Sequence, residues 1–315
     1  MLSLSISGDE GWSRLRRFMA RLPRLWQDLR AHPAWLVFFV LGRCPMARRG
    51  VQGLIAIARR RQVAAPGPGE ALAPWDSATV AAAVKAEGIA TGLRLPPDMV
   101  TRIRAYAETN TCYGGRHWTT PFTIDGHAEA ERQHGCKLLV GSLRDPMQNC
   151  PEVAELVRNR WLQDIAARYL GAEPRVIDVR LWWSFPSQAP SRTDLSLAAQ
   201  DSFHFDLADW HQMKFFFYLT DVDERGGPHL YVRGSHAHRP FAHHFPLFSA
   251  KTDRQIIGAY GRKAVQMITG PAGTGFVEDP FGYHTGTLVT EGRRLVLEIS
   301  FGITDVVRHV RPASG

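Results

Sequence analysis

The stretch DSFHFDLADWHQMKFFFYLTDV, residues 201–222, decides how the rest of the chain reads. Two apolar runs stand on either side of a polar Ala-Asp-Trp-His-Gln turn, so the stretch reads as two short strands. In the first, Phe203 and Phe205 alternate with His204 and Asp206. The period of two puts the imidazole and the carboxylate on one face of a rigid strand. The second strand is very apolar and opens on Lys214, which shares its face with Phe216 and Tyr218 by the same parity.

Working outward, strand-like runs continue at 175–186, 229–234, 264–270, 273–279, 284–290 and 293–303, each bounded by Gly or Pro. Eight short strands with such turns imply two packed sheets, a jelly roll. The expected fold is therefore mainly β with flanking helices. Helices are expected at 77–86, with Asp76 or Ser77 as cap, at 97–109, and from Glu152 to Leu170, ended by Gly171. Residues 110–150 carry no clear period.

The chain has 315 residues, 44% apolar and 22% charged, which excludes wholesale disorder. Its longest apolar run, Ala34 to Leu41, is too short to span a bilayer. The first residues show no secretory pattern, so a cytoplasmic setting is expected. Cys44, Cys112, Cys136 and Cys150 stand far apart and read as four small buried hydrophobes.

The net charge of +8 is unevenly spread. Residues 1–61 hold twelve arginines against Asp9, Glu10 and Asp28, a balance of +9 that leaves the other 254 residues near −1. The nearly neutral body argues against nucleic acid as a partner. The basic segment has helical periodicity through Trp12, Leu15, Met19, Leu22, Leu25 and Leu29. It reads as a helical extension, 1–63, followed by a Pro/Gly/Ala-rich linker, 64–74, and one domain, 75–315. Three roles stay open for it: packing on the domain, peripheral attachment to an anionic membrane, or docking to an acidic carrier.

His204 and Asp206 are two of the three ligands of a non-haem Fe(II) facial triad. The competing His127-Ala128-Glu129 lies in a helix-like stretch, where positions i and i+2 diverge. The third ligand should be a histidine on a later strand. His284, 80 residues on, is so placed, and ten residues further stands Arg294 on the last strand. A guanidinium there suits a bidentate pair with the far carboxylate of 2-oxoglutarate. Arg293 points the other way.

From WLQDIAARYLG (161–171), the run 203–236 with its Gly-Gly-Pro…Gly-Ser-His segment (226–236), ITGPAGTGFVEDPFGYHTGT (268–287) and EGRRLVLEISFG (291–302), the chain resembles the phytanoyl-CoA dioxygenase-like Fe(II)/2-oxoglutarate oxygenases. The likeness runs over about three-quarters of the chain, residues 75–308. It implies a double-stranded β-helix core, a cupin-like jelly roll, with His204, Asp206 and His284 as catalytic iron ligands and Arg294 as the 2-oxoglutarate anchor. It implies a dioxygenase that consumes O2 and 2-oxoglutarate and hydroxylates a small molecule, such as a natural-product or lipid-like intermediate. Desaturation, ring formation and epimerisation use the same chemistry. The family often has Gln between the two ligands where this chain has Phe205. Related halogenases lack the carboxylate that Asp206 supplies.

Lys214 either binds a carboxylate of 2-oxoglutarate or substrate, or snorkels to water at the strand mouth. Arg180 and Trp182 share a face with Ser184 and would meet substrate if that face lines the barrel; Trp210 would border the entrance. Histidines 229, 236, 238, 243 and 244 read as solvated loop residues. Two other functions compete: a cupin-type metal enzyme that does not use 2-oxoglutarate, and a jelly-roll binding module without metal.

Overall fold

The computed structural model describes residues 41–59, 70–115, 119–187, 202–240 and 250–304, with single positions 30, 38, 190, 195 and 243. Its strands are β1 Ile89–Arg94, β2 Cys112–Gly114, β3 Thr120–Phe122, β4 Val140–Leu143, β5 Arg175–Ser184, β6 Gln212–Tyr218, β7 His229–Val232, β8 Val265–Ile268, β9 Thr274–Glu278, β10 His284–Gly286 and β11 Arg294–Gly302. They form an eight-stranded sheet in the order β1-β9-β6-β11-β5-β4-β2-β3 and a three-stranded sheet in the order β10-β7-β8. The pairings are antiparallel.

The central strands β6, β9 and β11 of the large sheet are buried on both faces, and strand parity sorts their side chains. On β11, Leu295, Leu297, Ile299 and Phe301 join the core beneath the helices, together with Met213, Phe215 and Phe217 of β6. Full burial of one such side chain contributes about 1.5–3 kcal/mol. The opposite faces of β6, β9 and β11 put Phe216, Tyr218, Phe276 and Val296 against Tyr231 and Ile268 of the small sheet. Lys214, Glu278, Arg294 and Glu298 alternate with these apolar residues, so they too point between the sheets.

Three expectations change. The 201–209 run does not form a full strand: among the described residues it bridges only at Phe203–Lys251 and His204–His284. The single helix expected over 152–170 is two, Pro151–Arg158 and Arg160–Leu170. Asn159, at ψ 118°, leaves helical space, and its side chain caps the second helix by accepting from Trp161 N and Leu162 N. The second helix ends, as expected, at Gly171 in the left-handed region, φ 68°. Finally, Cys112 and Cys150 are buried, but Cys44 and Cys136 are exposed, because they sit in polar turns outside the sheets.

Much of the expected linker lies outside the described residues. Its described end is fastened down: Leu72 is buried and accepts from Arg94 N at 2.7 Å. Of the basic extension, the expected helix over 12–29 also lies outside the described residues. The helix Pro45–Arg59 is described and packs on the β domain. Arg48 is 4% exposed, donates from Nε to the Trp210 carbonyl at 3.0 Å, and lies 3.6 Å over the Phe281 ring. Gln52 donates to the same carbonyl, and Phe38 meets the Trp210 ring edge-on at 5.2 Å. A desolvated cation–π contact stabilises by about 2 kcal/mol. Arg48→Ala is therefore expected to lower the unfolding free energy by about 2 kcal/mol, and the exposed Arg49→Ala by less than about 1 kcal/mol. Urea denaturation of the two variants checks the difference.

Candidate metal centre

His204 and His284 reach the site from different parts of the chain. The backbone of the 203–206 segment pairs with β10 through reciprocal hydrogen bonds between His204 and His284, 2.9 and 2.8 Å. Asp206 N donates to Pro280 O at 2.8 Å, and Gln212 Nε2 donates to Asp206 O at 2.8 Å. This framework brings one ligand atom each of His204, Asp206 and His284 within 4.8 Å of one another. Among the described residues it is the only such cluster of His, Cys, Asp or Glu.

The second nitrogens orient the rings. His204 Nδ1 is 3.2 Å from the Ser202 carbonyl and His284 Nδ1 is 3.0 Å from the Gly282 carbonyl. Each carbonyl accepts the Nδ1 proton and so turns Nε2 toward the Asp206 carboxylate; on His284, held charged by its carboxylate neighbours, a metal would displace the Nε2 proton. Those Nε2 atoms lie 4.0 and 3.6 Å from the Asp206 carboxylate. Gly282 is required here, because a β-carbon would collide with the Tyr231 hydroxyl.

Charges surround this trio. Lys214 Nζ lies 2.7 Å from Asp206 Oδ2 and 2.9 Å from Glu298 Oε1. Ser300 donates to the same Glu298 oxygen at 2.8 Å. On the other side, His229 Nε2 is 2.9 Å from Glu278 Oε2, and Glu278 Oε1 is 3.8 Å from His284 Nδ1. The ionisation states follow. Burial opposes the charge on Asp206, yet the Lys214 ammonium outweighs it and holds the carboxyl well below its usual range. Burial and the neighbouring His284 pull His204 down to about 4. Burial alone would lower His284, but Glu278 and Asp206 push it up to about 9.

Arg294 lies farther along β11, 5% exposed. Its Nη2 donates to Ser184 Oγ at 3.1 Å, and its buried Nε has no hydrogen-bond partner. No carboxylate among the described residues lies in ion-pair range of it, and burial lowers its pKa. Arg293 is exposed.

The other expected site residues divide. Arg180 and Trp182 do face the interior: Arg180 Nη1 is 4.0 Å from Glu298 Oε2 and its guanidinium stands 5.0 Å from the Trp182 ring. Trp210 is not at the site; it is buried in the core under the N-terminal helix, because the turn before β6 folds away from the barrel mouth. Lys214 does not snorkel, since both of its partners are inside. His229, expected in a solvated loop, is buried on β7 and stacks 5.6 Å from His284. Glu278 and Glu298 were not singled out by their spacing. For Glu298 the available signal is a lone acid in the middle of an apolar strand, which demands a buried partner; Glu278, at the end of β9 beside Asp279, carries no such signal.

The phytanoyl-CoA dioxygenase (PhyH) family matches residues 91–287. No curated protein is similar enough in sequence to match. Among solved structures, EctD from S. alaskensis with bound Fe is 16% identical, with TM-score 0.49, over 74% of this chain and 81% of that one. The non-heme alpha ketoglutarate dependent carbocyclase SnoK from nogalamycin biosynthesis is 15% identical, with TM-score 0.49, over 75% and 87%. HygX from Streptomyces hygroscopicus with nickel and 2-oxoglutarate bound is 14% identical, with TM-score 0.48, over 71% and 86%. With its family match covering more than half of its length, this chain belongs to the phytanoyl-CoA dioxygenase (PhyH) family and is a non-haem iron, 2-oxoglutarate-dependent enzyme.

Proposed function

We propose that His204, Asp206 and His284 hold Fe(II), that Arg294 anchors 2-oxoglutarate, and that the enzyme hydroxylates an unactivated C–H bond of a small natural-product or lipid-like molecule. Two imidazole nitrogens and one carboxylate oxygen match the donor set of a facial site with open positions. The observation that carries the co-substrate reading is Arg294. A buried guanidinium with an orphaned Nε and no carboxylate in range requires an anion, and a planar carboxylate satisfies it bidentately.

Once bound, iron supplies O2 activation, and decarboxylation of 2-oxoglutarate to succinate and CO2 drives oxidation of the substrate C–H. The protein's part is orientation and exclusion of water. The Ser202 and Gly282 carbonyls fix the imidazoles. Phe216, Tyr218 and Phe276 keep the space between the sheets apolar. Arg180 and Trp182, at the half-buried end of β5, are the side chains we assign to substrate contact. An intact Asp206 favours hydroxylation over halogenation.

For the basic extension, we propose peripheral contact with an anionic membrane surface. Its support is the +9 balance of residues 1–61 and the exposure of Met46, Leu54 and Ile57 on the helix Pro45–Arg59. Among the described residues, no helix is long and apolar enough to cross a membrane.

Anaerobic addition of Fe(II) and then 2-oxoglutarate is expected to raise a weak visible charge-transfer band; no band with either addition overturns the reading. Arg294→Ala is expected to keep Fe(II) binding and to lose about 2–5 kcal/mol of 2-oxoglutarate affinity, measured by titrating the same band. Succinate release across a panel of small molecules identifies the substrate. Co-sedimentation with anionic but not zwitterionic vesicles is expected for the full chain.

A further inference from the structure

We infer that Lys214 is a positioning residue of the metal site, committing Asp206 to one coordinating oxygen and setting the charge a divalent ion meets there. The inference rests on His204, Asp206 and His284 being the metal ligands.

The carboxylate of Asp206 has two inequivalent oxygens. Oδ2 accepts from Lys214 Nζ at 2.7 Å and lies 3.6 Å from His284 Nε2, while Oδ1 has no hydrogen-bond donor among the described residues and lies 4.0 Å from His204 Nε2. Both oxygens face an imidazole, but the ammonium engages Oδ2 alone, so Oδ1 is the oxygen we assign to the metal. Lys214 is held where it is. Its side chain is 10% exposed, and Glu298, 4% exposed, takes a second of its protons at 2.9 Å. Glu298 is fixed in turn by Ser300 and flanked by Arg180. Ser300 pairs in register with Lys214, and Glu298 with Phe216, so the ammonium rides on two central strands of the large sheet and has little freedom to move.

Two consequences follow. An ammonium on Oδ2 opposes rotation of the carboxylate into a bidentate mode, so it keeps positions on the metal for other ligands. It also withdraws charge from the ligand, which weakens cation binding. Two of the three ammonium protons are thereby taken by carboxylates, and the anchoring of 2-oxoglutarate is the role we assign to Arg294. A purely structural ion pair between Lys214 and Glu298 would leave the metal indifferent to its removal.

The test uses the full-length protein, titrated anaerobically with Co(II) alone and read by affinity and by the visible ligand-field bands. Lys214→Met removes a positive charge beside the ligand and is expected to bind Co(II) about tenfold more tightly, with altered bands, and Lys214→Arg is expected to return both toward wild type. Removing Lys214 alone leaves Glu298 buried and unpaired, which can prevent folding. The double variant Lys214→Met with Glu298→Leu removes both charges and is expected to show the same change in the bands. Folded variants whose affinity and bands equal those of wild type overturn the inference while the metal site stands. A wild-type protein that binds no Co(II) overturns the metal site and this inference together.

Discussion

The ammonium of Lys214, enclosed between the carboxylates of Asp206 and Glu298, ties the metal-site segment to the large sheet. That segment needs such a tie. Among the described residues, 203–206 contribute only two isolated bridges, one to Lys251 and one to His284 of the small sheet, so ladder hydrogen bonds alone hold them weakly. The side chains supply the rest: Lys214 on the carboxylate, Gln212 on the Asp206 carbonyl, and Phe205 packed edge-on against Phe281 at 5.1 Å. A buried charge costs several kcal/mol unless it is paired. Once Lys214 is inside the barrel, the positions of Asp206 and Glu298 are constrained with it.

The barrel interior divides by charge compensation. Near His204, Asp206 and His284, the buried Lys214 ammonium has two carboxylates, and His229, pushed by burial toward its neutral form, has Glu278. Farther along β11, the side-chain partner of Arg294 among the described residues is the hydroxyl of Ser184. That contrast is what supports our assignment of an anionic ligand to Arg294, with phenyl and phenol rings packed between the sheets beside it. The basic N-terminal segment joins this plan at one point. The ring of Phe281, three residues before His284, is in contact with the guanidinium of Arg48 at 3.6 Å and that of Arg239 at 4.0 Å. The helix Pro45–Arg59 therefore packs on the loop that leads into His284, and it is not an isolated appendage.

Much of this was legible in the sequence because strand parity is local. The alternation around His204 and Asp206, the apolar run after Lys214, and Arg294 rather than Arg293 on the inner face all follow from a period of two. Cap residues were legible for the same reason: Asp76 and Gly171 act within one turn of chain. The region 110–150 was not, because β2, β3 and β4 are three or four residues long and take their meaning from pairing with β5. The break at Asn159 was also hidden, since both halves keep the helical period across it.

By itself, then, the sequence determined most of the strands from β5 onward, the faces they present, and the residue types able to hold iron and a dicarboxylate. Only the tertiary structure decided which charges share a space. It took His229 out of the loops and placed it beside His284, and it sent Trp210 to the core beneath the N-terminal helix. It also gave Lys214 its two carboxylates. The physical reason is distance along the chain: Lys214 and Glu298 are 84 residues apart, and only the antiparallel register of β6 with β11 brings ammonium and carboxylate to 2.9 Å.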